Sequence, residues 1–379
     1  KNTMTYDAPP QPVTIDSPSV PGPINSTTST STPVTYGITY SETLASSGTL
    51  GSASAYVPSG TATATITVPT STTSGATVQL KTATGDGPLG ITVAIGAVKD
   101  LAGNTNTAAV SSATTFTVDN TAPTVHITKI YSGHTGYTAY AKDGDTISME
   151  YTVSETNMPA SITVNLAGKS NTVIVSGTSV SNTATQVVGV STYPSSDGLL
   201  GTSAHEVIVT DQAGNPSDVT TIDDSSTMTV DRAGPSITGV SYISNNDTTP
   251  ASYARLNNVV TLEVYATDAL SAINTSVQAG TVAVTVNGSS TVYGAATAPS
   301  GTAVGATVQG TYDATYTLNN SGGTDADGAV VMTVTVKDVL GNASSYVSTS
   351  KNTMTYDARP PTVTIDSPSV PGPINSTTS

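Results

Sequence analysis

The chain of 379 residues contains no cysteine and no tryptophan, and only one phenylalanine. Without cysteine there is no thiol nucleophile, no zinc–thiolate site and no disulfide framework. With so few large aromatic rings, a core must be built mostly from Tyr, Leu, Ile and Met among β-branched Val and Thr. Charge is also scarce, at 10% of residues, and one-sided: 11 Lys and Arg stand against 26 Asp and Glu, a formal net charge of −15. Such a surface repels nucleic acid and anionic lipid, and it attracts divalent cations wherever carboxylates gather. No apolar run approaches the ~20 residues needed to span a bilayer, so nothing in this segment reads as membrane-inserted. No signal peptide is legible and the first residue is not Met, so we read the chain as a piece of a longer or processed polypeptide.

Thr, Ser, Ala, Gly and Val are abundant. Thr and Val suit a pleated surface better than a helix, and Gly and Pro recur at intervals too short for long helices. These features predict an all-β chain of short antiparallel strands.

Internal repetition organises the rest. KNTMTYDAPPQPVTIDSPSVPGPINSTTS at residues 1–29 returns, with three substitutions, at 351–379, an offset of 350 residues. Within that period an alternating strand, an Asp and a Pro-containing link recur as MTYDAPP, FTVDNTAP, MTVDRAGP and MTYDARPP. Their markers Asp7, Asp119, Asp231 and Asp357 stand 112, 112 and 126 residues apart, the length of an immunoglobulin-type domain. The expected division is residues 1–7 as the last strand of a preceding domain, domains at 8–119, 120–231 and 232–357, and 358–379 as the start of the next repeat.

Two more signatures keep register. VTYGITYSE (Val34–Glu42), ISMEYTVSE (Ile147–Glu155) and VTLEVYATD (Val260–Asp268) alternate strictly and end in an acid, the mark of a strand buried on one face. VKDLAGN, VTDQAGN and VKDVLGN place Asp100, Asp211 and Asp338 at the head of an Asp-x-x-Gly-Asn turn, where Gly and Asn suit a positive φ. A slip of apolar phase around Gly96 reads as a β-bulge, and Pro21–Pro33 (PGPINSTTSTSTP) as an extended loop.

The links, the acid-ended strands and the D-x-x-G-N turns, three times in constant order, resemble the bacterial immunoglobulin-like (Big-type) tandem repeats of giant cell-surface and biofilm adhesins. The resemblance implies three tandem immunoglobulin-like antiparallel β-sandwich domains in an extended array, an extracellular location and calcium between domains. It identifies no ligand.

Strand direction brings the acids together. In a seven-stranded sandwich the second strand returns to the end where the link enters, and the sixth runs to that end too. The expected sets are Asp7, Glu42 and Asp100; Asp119, Glu155 and Asp211; and Asp231, Asp268 and Asp338, with Asp357 opening a fourth. Carboxylates this close repel unless a cation neutralises them. Calcium fits best, because it takes six to eight oxygens in flexible geometry; zinc favours His or Cys, which the sets lack. A local reading stands beside this one: Asp in such turns also caps backbone N–H groups, and Asn104, Asn215 and Asn342 suit a turn better than a ligand sphere.

Other candidates weigh less. Lys142–Thr146 (KDGDT) and Gly322–Gly328 (GGTDADG) hold neighbouring acids but read as loops. His126, His134 and His205 are dispersed, with His126 and His205 in strand patterns that fit packing or surface positions. No nucleophile with an adjacent base can be specified, and no phosphate loop opens a helix, so the chain reads as non-enzymatic. The leading expectation is a structural segment of a long repetitive surface protein: an extender, stalk or filament whose calcium sites stiffen the array, with further copies of the same repeat as its partners. Tyr residues in Ile130–Tyr140 leave room for a glycan- or protein-binding module. Residues 1–7 leave room for a separate filament subunit that assembles laterally or head to tail by donor-strand insertion, although 351–357 already supply that strand to the third domain.

Overall fold

The structure, a computed structural model, describes residues 13–45, 51–159, 161–189, 197–246, 252–255, 257–270, 280–286, 289–295, 310–317, 328–347, 354–357 and 361–366. It is almost entirely β. The chain divides into two compact units, residues 1–139 with 143–228, and residues 140–142 with 229–379.

The first repeat comprises β1 (Val13–Ile15), α1 (Ser26–Ser31), β2 (Val34–Tyr40), β3 (Tyr56–Gly60), β4 (Thr63–Ser71), β5 (Gly75–Thr84), β6 (Gly87–Val93), β7 (Val110–Ser111) and β8 (Phe116–Val118). One sheet has the order β1-β2-β5-β4; the other joins β3, β6 and β7, with β8 also on β6. Alternation in β2 does what it predicts: Val34, Tyr36, Ile38 and Tyr40 are all buried. They meet Leu89, Ile91, Val93, Phe116 and Val118 of the facing sheet in one core. The Tyr36 and Phe116 rings lie 6.5 Å apart, and the Tyr36 hydroxyl donates toward the Leu89 and Thr114 carbonyls, each at 3.3 Å.

Two expectations for this repeat need correction. Part of the Pro/Ser/Thr-rich loop is a helix: Asn25 caps α1, its side chain accepting the Thr28 N–H at 2.8 Å, and Ser29 Oγ accepts the Ala83 N–H at 2.9 Å. Around Gly96 there is no bulge within a continuous strand. Instead β6 ends at Val93, and a tight turn follows in which Ala97 N–H reaches the Ala94 carbonyl at 3.2 Å and Gly96 has φ +73°. A turn and a bulge shift apolar phase alike.

The second repeat carries β9 (Thr124–Ser132), β10 (Tyr140–Ala141), β11 (Thr146–Ser154), β12 (Ser161–Leu166), β13 (Lys169–Ile174), β14 (Ser179–Val187), β15 (Gly198–Leu199), β16 (His205–Thr210), β17 (Pro216–Val219) and β18 (Thr229–Val230). Its main sheets are β9-β11-β14 and β13-β12-β16-β17. Ile147, Met149, Tyr151 and Val153 of β11 are buried, as are Ile162, Val164 and Leu166 of β12 and Val207 and Val209 of β16.

The histidines here are structural. His126 lies 3.0 Å from Asp223 at the surface, and His134 lies 2.9 Å from Asp145 in a half-buried pair. His205 is buried, and burial holds its pKa below the usual 6.5, outweighing the backbone groups of Thr220 and Gly201 that pull it upward. The fold therefore favours the neutral ring. That contribution is complete above about pH 6.5 and is lost as pH falls from there through the folded-state pKa. The melting temperature of the second repeat should drop on moving from about pH 7 to about pH 5, and His205→Gln should flatten the slope. An unaltered slope in the variant assigns the effect to other groups.

In the second unit β10 pairs in parallel with β18. The third repeat has β19 (Ser236–Ser244), β20 (Tyr253–Ala254), β21 (Val259–Thr267), β22 (Gly280–Val286), β23 (Ser289–Ala295), β24 (Gly310–Thr317), β25 (Gly328–Lys337), β26 (Ala343–Val347) and β27 (Met354–Tyr356). It keeps the same plan: one sheet is β19-β21-β24, and the other runs β20-β27-β25-β22-β23 with β26 on β25. The strand from the 351–379 copy, β27, pairs with β25 of this repeat.

Candidate metal centres at the links

Pairing register carries the acids toward the links. Ser154 of β11 pairs with Thr124 of β9, so Glu155 stands beside the link that begins at Asp119. Thr267 of β21 pairs with Ser236 of β19 and sets Asp268 beside the link that begins at Asp231. Tyr40 pairs with Val13, which sends Glu42 toward residues preceding β1.

The D-x-x-G-N turns bring the third acid. Asp100, Asp211 and Asp338 donate their N–H to Asn104, Asn215 and Asn342 carbonyls at 3.0, 3.1 and 3.0 Å. In return the Asn backbone N–H donates to Oδ1 at 2.8 Å in all three turns. Asn Nδ2 donates to Oδ2 at 2.7, 2.7 and 2.8 Å. Asn215 Nδ2 also reaches the Asp119 carbonyl at 3.0 Å, and Asn342 Nδ2 reaches that of Asp231 at 2.9 Å. The asparagines thus present their amide nitrogens to the acids, and Asn215 and Asn342 tie their turns to the links, the turn role expected of them.

The outcome is two matching groups. Asp119, Glu155 and Asp211 each offer a carboxylate oxygen, all within 4.8 Å of one another, and so do Asp231, Asp268 and Asp338. In each group the two outer acids are buried and the strand-terminal acid is half-buried. Of the first set, Asp7 lies outside the described residues. Asp100 is buried and Glu42 half-buried, on segments bridged at Leu44–Asp100, where Ala45 N–H donates to the Lys99 carbonyl at 2.9 Å. Burial pushes the Asp100 carboxyl up, but the donors of Asn104, Gly103 and Ala102 outweigh it and hold its pKa below the usual carboxylate range. Asp357 is exposed after β27, its N–H donating to the Ala254 carbonyl at 2.9 Å.

Donor chemistry and spacing both fit calcium. Two oxygens on one ion cannot lie further apart than twice the bond length, about 4.6–5.2 Å for calcium and about 4.0–4.2 Å for magnesium. Oxygens within 4.8 Å of one another meet the calcium limit. Like charges at that separation repel by roughly 3 kcal/mol per pair at an effective dielectric of ~20, and a cation reverses the sign.

Two participants escaped the motif reading. Asn157 Nδ2 donates to Asp119 Oδ2 at 2.6 Å, while its N–H donates to Glu155 Oε1 at 3.1 Å. Asp86, in the turn between β5 and β6, grips the link: it accepts the Asn120 N–H and the Thr121 hydroxyl, each at 2.7 Å. These two donors lower its pKa. Asp86, Asp119, Glu155 and Asn157 line a cleft of about 540 Å³. A weak signal was available for Asp86, because Asp-Gly occurs at 86–87, 143–144, 197–198 and 327–328. The GGTDADG candidate otherwise lies outside the described residues.

The fold and its links define a class: tandem β-sandwich repeats with carboxylates gathered where one repeat passes into the next. No family model matches the chain, and no curated protein matches it. Among solved structures, it is similar over 93% of its length to the whole of a structure from a 1.5-MDa bacterial ice-binding adhesin, at 19% identity and a TM-score of 0.40. It is similar over 93% of its length to 75% of a chain from the structure of a Ca2+-stabilized adhesin that helps an Antarctic bacterium reach out and bind ice, at 18% identity and a TM-score of 0.43. Fibronectin(III)-like modules of Clostridium thermocellum CbhA match over 61% of this chain and 94% of theirs, at 12% identity and a TM-score of 0.22. Among the described residues, no helix is long and apolar enough to cross a membrane.

Proposed function

We propose that this chain is a non-enzymatic structural segment of a long extracellular surface protein, an adhesin extender or stalk, in which calcium at each link stiffens the array. The observation that carries the reading is the pair of three-acid groups, each assembled from remote sequence positions within 4.8 Å. Asp119 and Asp231 supply the ion from the link; Glu155 with Asp211, and Asp268 with Asp338, supply it from the repeat that follows. An ion held from both sides removes freedom from the hinge. Its own chemistry is limited to neutralising and crosslinking these oxygens. The folding domains are residues 8–119, 120–231 and 232–357, and the partners along the chain are further copies of the same 350-residue period.

Small-angle scattering tests this. With calcium, the maximum dimension should be larger and the profile that of a stiff particle; chelator should shorten and loosen it. A particle with the same dimension and flexibility in both conditions rules out the stiffening role.

A further inference from the structure

Each link has a second contact, on a position that no motif marks. A short segment runs in parallel beside the last strand of every repeat, at Ile24 with Val118, Ala141 with Val230 and Ala254 with Tyr356. In all three the carbonyl of that residue accepts the N–H of the junction acid, Asp119, Asp231 or Asp357, at 2.9 Å. The next residue in the chain is therefore in the same place each time: Asn25, Lys142 and Arg255.

Two of these positions can be followed to their destination. Asn25 Nδ2 donates to Asn215 Oδ1 at 3.0 Å across 190 residues, and lies 3.4 Å from where a Cβ on Gly214 would sit. Lys142 Nζ lies 3.2 Å from the equivalent point on Gly341. Both glycines occupy the fourth position of the D-x-x-G-N turn of the following repeat, with φ +97° and +86°. The positive φ favours Gly there, and the incoming side chain packs at contact distance over it.

Arg255 is exposed, and the D-x-x-G-N turn of the first repeat is the equivalent turn one repeat further along a tandem array. That turn has the same internal hydrogen bonds, and Gly103 has φ +99°. Among the described residues the atom nearest to a Cβ there is Lys99 Cε at 3.6 Å, and Leu101 beside it is 71% exposed. Residues 351–379 repeat 1–29, so the sequence that follows Asp357 is that which opens the first repeat. We propose that Arg255 docks on the Asp100–Asn104 turn of a second copy of this period, and that position 25/142/255 is a general plug of the links. The assignment rests on the tandem-array reading above. The cationic character of the position is kept from one link to the next: Lys142 brings an ammonium to the turn that follows Asp338, and Arg255 would bring a guanidinium to its equivalent.

The absence of cysteine makes the test clean. In a polypeptide carrying two consecutive periods, Arg255→Cys in the first is combined with Ala102→Cys in the second, and Thr28→Cys with Ala213→Cys serves as the positive control. Thr28 Oγ1 already lies 3.5 Å from the Ala213 carbonyl. In calcium the Arg255/Ala102 pair should form its disulfide at a rate like the control and at least about tenfold faster than a displaced Ser252→Cys/Ala102→Cys pair, because only Cα atoms held within ~7 Å crosslink readily. Spin labels on the same cysteines should give one short, narrow distance. Equal rates for the displaced pair, or a long or broad distance, overturn the docking. If scattering shows calcium stiffening while the Arg255 pair fails, the plug is wrong and the rod stands; if stiffening is absent, the parent reading fails.

Discussion

Chelating calcium should lower the melting temperatures of the second and third repeats by about 10–20 °C, and Glu155→Gln should abolish that response in the second repeat alone. At a free ion concentration of 100 times Kd, one site on the folded state stabilises it by about 2.7 kcal/mol. For a domain of roughly 100 residues, each kcal/mol moves the melting temperature by about 4–8 °C. The choice of Glu155 matters. Asp211 accepts three hydrogen bonds inside its own turn, so its removal damages the fold whether or not an ion binds. Glu155 is half-buried and accepts the Asn157 N–H, which a Gln oxygen can still accept. Replacing it relieves like-charge repulsion without metal and removes a ligand with metal. The variant should therefore melt higher than the parent in chelator and lower in calcium. If the acids act only as local caps, calorimetry will show neither the calcium response nor this crossing.

Much of the fold was legible because half of it is written with period two. Val34–Tyr40 and Ile147–Val153 bury every second side chain, and a one-sided sheet leaves that trace in sequence. The acid groups were legible for a related reason: antiparallel strands return to the end they left, so a strand-terminal acid and a link meet whatever lies between them. What stayed hidden depends on pairings without a residue-type rule. Asn157 and Asp86 act through hydrogen bonds to the link, and nothing local distinguishes Asn157 from other polar loop residues. The plug position is Asn, Lys and Arg in turn, so it makes no motif; only the shared 2.9 Å bond from each junction acid reveals the equivalence. Helix α1 was hidden because Ser and Thr compete with the backbone for hydrogen bonds and are weak helix formers. Tertiary contact through Ser29 to Ala83 overrides that preference.

Phe116→Ala should destabilise the first repeat by about 3–5 kcal/mol, lowering its melting temperature by more than ~10 °C. The ring is 1% exposed, it is the only Phe in the chain, and Tyr36 opposite cannot close the gap because its hydroxyl is tied to the Leu89 and Thr114 carbonyls. Phe116→Leu keeps most of the apolar contact and should cost only about 1–1.5 kcal/mol. The effect should not stop at the core. Phe116 anchors β8, which is three residues long and holds to β6 through Leu89–Phe116, Pro88–Thr117 and Gly87–Val118. The next residue is Asp119, the link acid proposed to hold calcium for the second repeat. Loosening β8 leaves that carboxylate on a frayed end, so the calcium concentration needed to stabilise the second repeat should rise although none of that repeat's own residues has changed. Calorimetry of Phe116→Ala across a calcium titration resolves both consequences. A first transition within about 1 kcal/mol of the parent would refute the packing account; a large loss there with an unchanged calcium midpoint for the second would show that Asp119 does not depend on β8 for its place.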